Sequence, residues 1–139
     1  MPIPDREPKL PQESVTLTDA EWSVIKVVWR RRRCTAGDVQ ADLADERGWA
    51  YSTVKTTMDR MVAKGILTLE RAGNVQWFLA RLTQGQVARS EVRRLLERAF
   101  DGAVAPMVNH LVTHEKLSGD DLAALRRLID EAAPEEGDR

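Results

Sequence analysis

From Leu17 onward, apolar residues recur at steps of three and four in six blocks, interrupted once by a stretch in which they recur at steps of two. Trp22, Ile25, Val28 and Trp29 share one face of a first helix, and Ala36, Val39 and Leu43 share one face of a second. After Gly48 a third helix runs from about Ser52 to Lys64 with Val54, Met58, Met61 and Val62 turned inward, and Gly65 supplies its stop. Ile66 to Arg71 and Val75 to Leu79 then alternate as strands about Ala72-Gly73-Asn74, a turn whose Gly and Asn tolerate positive φ. Trp77 and Phe78 point opposite ways, one into the core and the other toward the joint with the next helix. That fourth helix continues to about Phe100 with Ala88, Val92, Leu95, Leu96 and Ala99 in one stripe. A short fifth helix spans Pro106 to Val112, and a sixth sets Leu122, Leu125, Leu128 and Ile129 on one face.

Helix starts repeat one form: an apolar residue, then Ser or Thr, then Glu, Gln or Asp three positions on, then a second apolar residue. The pattern joins a capping box to a hydrophobic staple. It occurs at Leu17-Thr18-Glu21-Trp22, Cys34-Thr35-Asp38-Val39, Leu82-Thr83-Gln86-Val87 and Leu117-Ser118-Asp121-Leu122. The third helix lacks it. Its first turn carries no acid, which leaves its amides open to an anion.

The predicted fold is mainly α: a winged helix-turn-helix of three helices and a β-hairpin wing over 14–82, then a helical dimerisation arm over 83–133. Short bundles seldom close a core alone, so the apolar stripes of the last three helices call for a partner, and packing onto the winged domain is the alternative. Residues 1–13, with four prolines and mixed charge, read as a disordered arm, and 134–139 as an acidic tail.

The 139 residues suit one ordinary domain or two small ones. A net charge of -1 announces no nucleic-acid partner, and its distribution says more. Ser14 to Leu82 holds 11 Lys/Arg against 8 Asp/Glu, whereas Thr113 to Arg139 holds 4 against 8. The front is basic and the rear acidic. A single cysteine, Cys34, excludes an internal disulfide and suits a reduced cytosol, and no segment reads as a secretion signal or membrane insertion.

With Val54 and Met58 inward, Ser52, Thr53, Lys55, Thr56, Asp59 and Arg60 face outward on the third helix, a set of hydroxyls and cations suited to base edges and phosphates of double-stranded DNA. In the wing, Arg71 can neutralise a phosphate while Asn74 and Gln76 hydrogen-bond to the backbone, with Arg81 at the base. A solvated face and edge-strand charges are the plainer readings of the same residues. Arg30 to Arg33 end the first helix, where cations suit its negative pole better than they suit DNA. His110 and His114 lie four apart beside Glu115 but lack the further donors of a zinc site. No metal, cofactor or enzyme is expected, since nucleophile elbow, phosphate loop and paired carboxylates are all missing.

LTDAEWSVIKVVW, YSTVKTTMDRMVAKGIL and NVQWFLARLT together resemble the penicillinase-repressor family of winged-helix regulators (BlaI/MecI/CopY), over roughly Leu17 to Ala132. The resemblance implies a cytoplasmic homodimer that occupies palindromic operator DNA and blocks transcription, with recognition-helix contacts on Ser52, Thr53, Lys55, Thr56 and Arg60. It also implies release through a membrane metalloprotease pathway that leads to cleavage at an Asn-Phe bond in the short C-terminal helix. Here that place reads Asn109-His110-Leu111, which makes His110 and Leu111 the candidate cleavage region. The Cys-x-Cys pairs of the copper-responsive branch are missing. The competing function is a winged-helix protein-interaction module without DNA binding.

Overall fold

The computed structural model describes residues 16–133, so the expected arm over 1–13 and tail over 134–139 lie outside the described residues. The elements are α1 (Asp19–Arg31), β1 (Arg33–Cys34), α2 (Ala36–Asp42), α3 (Tyr51–Ala63), β2 (Leu67–Ala72), β3 (Val75–Ala80), α4 (Gln84–Phe100), α5 (Val104–His114) and α6 (Gly119–Ala132). The three strands form an antiparallel sheet in the order β1-β3-β2. This is the mainly helical winged helix-turn-helix that the periodicity predicts, with one strand more.

The extra strand corrects the reading of Arg30 to Arg33 as one helix end. Arg32 leaves α1 at φ 75° while its amide still donates to the Val28 carbonyl at 2.7 Å. Arg33 and Cys34 then pair with Leu79 and Phe78 of β3. Two residues leave no periodic trace in a sequence; this strand exists because β3 offers it an edge.

Local signals act as their chemistry requires. The capping boxes close at Thr18/Glu21, Thr35/Asp38, Thr83/Gln86 and Ser118/Asp121, each with reciprocal bonds of 2.8–3.1 Å. α3 ends in a Schellman turn: Gly65 takes φ 83°, its amide donates to Val62 and that of Ile66 donates to Met61. At the wing tip, Ala72 pairs with Val75 and only Gly73 of the two turn residues has positive φ, at 64°.

The described residues form two compact units, the first running to Arg94 and the second beginning at Leu95. Ile25 and Val28 of α1, Val39 of α2, Val54, Met58 and Met61 of α3, and Phe78 of β3 are buried together in the first unit. Trp22 and Trp29 are only half-buried, edge to face at 6.3 Å; Val24 and Val27 take the core positions beside Ile25 and Val28. Trp29 instead uses its polar handle, donating from Nε1 to the Leu82 carbonyl at 2.9 Å. The second unit contrasts with the first. Among the described residues α5 and α6 bury no side chain, and Leu95, Ala99, Leu111, Leu122, Leu128 and Ile129 are exposed, as is Val92 nearer the start of α4. Leu96 and Leu125 are half-buried.

Candidate nucleic-acid interface

α3 is held from beneath by Val54, Met58 and Met61, all fully buried, so rotation about its own axis would pull three side chains out of the core. That fixes which face looks outward. Ser52, Thr53, Thr56 and Arg60 are exposed and line an open groove of about 290 Å³ together with Thr57. Thr57 is buried and donates to the Thr53 carbonyl at 2.8 Å, satisfying its hydroxyl within the helix. The helix begins without a side-chain cap at Ala50 and without an acid in its first turn, as its composition suggests.

Lys55 stands differently from its neighbours. It is half-buried, and its Nζ reaches both carboxylate oxygens of Asp59 at 3.1 and 2.9 Å, so the one lysine of this face is shared with an acid one turn on. Arg60 has no ion pair or hydrogen bond among the described residues. Its charge is fully available.

The wing sets Arg71 and Gln76 directly opposite each other in the β2–β3 register, one step below the tip. Arg71 and Asn74 are exposed, Gln76 is half-buried, and all three border a second groove of about 400 Å³ that Tyr51 also lines. Arg81 is exposed at the wing's base. Phe78 fills the core, while Trp77 lies under the Arg33 guanidinium at 4.3 Å rather than at the joint with α4.

Charges behind the α3 face serve the fold. Arg30 and Arg31 converge on Asp42 at 3.3 and 2.8 Å, and the Arg31 bond holds that carboxyl below its usual range against the opposing effect of burial. Glu21, 2 % exposed, accepts from Lys64 Nζ with both oxygens at 2.8 and 2.9 Å and from the Thr18 amide at 3.0 Å. Burial pushes its pKa up, but the Lys64 and Thr18 bonds and the Lys64 charge together bring it below 4.5. Glu21 therefore ties the start of α1 to the end of α3. In the sequence Glu21 reads as a cap alone, Arg33 as part of a helix end, and Tyr51 carries no assignment; only the capping role has a local signal.

Among the described residues no three His, Cys, Asp or Glu side chains gather to hold a metal, and no helix is long and apolar enough to cross a membrane. His110 and His114 stand 4.9 Å apart on α5, with Phe100 edge-on to His110 at 5.6 Å.

The penicillinase repressor of Bacillus licheniformis is 25% identical over 123 residues, covering 88% of this chain and 93% of the relative. The methicillin resistance regulatory protein MecI of Mammaliicoccus sciuri is 20% identical over 113 residues, covering 81% and 92%. A solution structure of the Bacillus licheniformis BlaI monomer with the blaP half-operator is 23% identical, with a TM-score of 0.44, and spans 58% of this chain and 90% of that one. The family model described as penicillinase repressor matches residues 17–131, nearly everything the structure describes, and the chain belongs to that family.

Proposed function

We propose that the chain is a non-enzymatic, dimeric transcriptional repressor of the cytoplasm that occupies palindromic operator DNA. Repression is the activity carried by the name of its Bacillus licheniformis relative, and family membership brings that activity to this chain. The observation that carries the reading is the α3 face: Ser52, Thr53, Thr56 and the unpaired Arg60 lie bare along one groove on a helix fixed by three buried side chains. Such a helix presents base-reading groups to the major groove, while Arg71, Asn74 and Gln76 of the wing contact the adjoining backbone.

The exposed apolar side chains of α4, α5 and α6 take the second copy. Val92, Leu95, Leu96, Ala99, Leu111, Leu122, Leu125, Leu128 and Ile129 form the pairing surface, and the two α3 helices then stand about 34 Å apart, or a multiple of that, on one side of the duplex. Release follows from cutting near His110 and Leu111 by a pathway that a membrane metalloprotease starts. Both residues lie within α5, so that turn has to unwind before a protease can hold it in extended form. Cleavage there separates α6 from the rest and removes the tether that makes two weak DNA contacts one strong one.

Purified protein titrated with duplex DNA at rising salt tests the reading. Log affinity should fall linearly with log salt, by about 0.9 for each phosphate neutralised. Arg60→Ala should weaken binding while size-exclusion mass and thermal unfolding stay unchanged, and truncation after His110 should lower both dimerisation and affinity. Absence of duplex binding at every salt overturns DNA recognition; a truncated chain that still dimerises and binds as before overturns release by cleavage.

A further inference from the structure

The groove of about 400 Å³ beside the wing joins residues that the sequence scatters: Thr35 before α2, Tyr51 at the first position of α3, Arg71, Asn74 and Gln76 on the hairpin, and Phe78 beneath. Its composition is directional. Arg71 is exposed and has no ion pair among the described residues, so the slot carries an uncompensated positive charge. Tyr51 is 50% exposed and brings a phenol hydroxyl, a hydrogen-bond donor, to the same slot. Asn74 and Gln76 add amide donors, and the first turn of α3 bears no acid that would repel an anion.

We propose that this slot is a clamp for a single DNA backbone phosphate, gripped by the Arg71 guanidinium from the wing and the Tyr51 hydroxyl from the start of the recognition helix. The inference rests on the DNA-binding reading and makes it specific. Tyr51 sits immediately before Ser52 and Thr53, so a phosphate held there fixes how far along its axis α3 enters the major groove. Arg71 brings the wing to the same phosphate, and groove reading and wing docking become one event. Tyr51 is a positioning residue and carries no base information.

The test is a double-mutant cycle on duplex binding, with Tyr51→Phe, Arg71→Gln and the pair measured by fluorescence anisotropy across a salt series in the full chain. Both side chains are exposed, so thermal unfolding should not change. Each single variant should weaken binding about tenfold, the effect of losing one charge-assisted hydrogen bond. Arg71→Gln should flatten the salt slope by about 0.9, and Tyr51→Phe should leave it alone. The double variant should be weaker by clearly less than the product of the two losses, because the groups share one phosphate. Wild-type binding with multiplicative losses, or with no effect of Tyr51→Phe, overturns the clamp and leaves DNA recognition standing. A wild-type chain that binds no duplex overturns both.

Discussion

The Lys64 ammonium holds both carboxylate oxygens of Glu21, at 2.8 and 2.9 Å, across 43 residues of sequence. The pair joins the first turn of α1 to the C-cap of α3 and so fixes the far end of the helix assigned to DNA. Because the folded carboxyl sits below 4.5, its stabilisation is complete at pH values above 4.5 and is lost as pH falls through the lower folded value. Glu21→Gln should cost about 1.5 kcal/mol at neutral pH, a low figure for a charged hydrogen bond because Lys64 is partly in water. The difference from wild type should shrink below pH 4.5, as chemical denaturation at several pH values would reveal. A constant difference down to acid pH would mean that the charge contributes nothing.

Asp59 restrains its own surface. Bonded to Lys55 at 2.9 Å, it engages the one lysine of the face proposed for DNA and adds a negative charge to that face. Asp59→Asn should tighten binding to arbitrary duplex and steepen the salt slope by up to about 0.9, at the cost of an exposed intrahelical pair of about 0.3 kcal/mol. Discrimination between sequences should fall, because the freed lysine seeks phosphate wherever it lies. An unchanged slope would place Lys55 away from the duplex.

Cys34 should be chemically quiet. It is fully buried, and burial, helped by the Asp38 carboxylate, pushes its thiol pKa up to about 11. At pH 8 the thiolate fraction is then about one in a thousand. Alkylation of the native chain should be slow and should accelerate steeply through the unfolding transition in urea. Rapid labelling without denaturant would contradict the burial.

The two tryptophans of α1 should respond differently. Trp29→Phe removes the bond to the Leu82 carbonyl and should cost about 1 kcal/mol, since the carbonyl is left without its partner. Trp22→Ala should cost less than the about 3 to 5 kcal/mol of a fully buried ring, because one side of it faces solvent with Lys26 above. Neither change touches the α3 face. Thermal melts with duplex titrations check both.

What could be read in advance was what neighbours in sequence decide. Caps, staples, the Gly65 stop and the inward stripe of Val54, Met58 and Met61 depend on residues within a turn or two, and each had a visible pattern. The outward positions of Ser52, Thr53, Thr56 and Arg60 follow from that stripe by geometry alone. β1, the Glu21–Lys64 pair and the placing of Tyr51 beside the wing depend on distant segments meeting, and no local period encodes a meeting. Lys55–Asp59 was legible by its four-residue spacing, yet spacing does not say whether a lysine will prefer its neighbour to solvent.

Among the described residues α5 and α6, of 11 and 14 residues, hold no fully buried side chain, and isolated peptides of that length barely hold helical form in water. A cover over their exposed apolar side chains would stabilise them further. If that cover is another molecule of the same kind, secondary structure, assembly and grip on the genome rise and fall together with the number of molecules in the cell. Synthesis rate then becomes a control input in its own right: halving the supply thins the population of competent regulators by more than half.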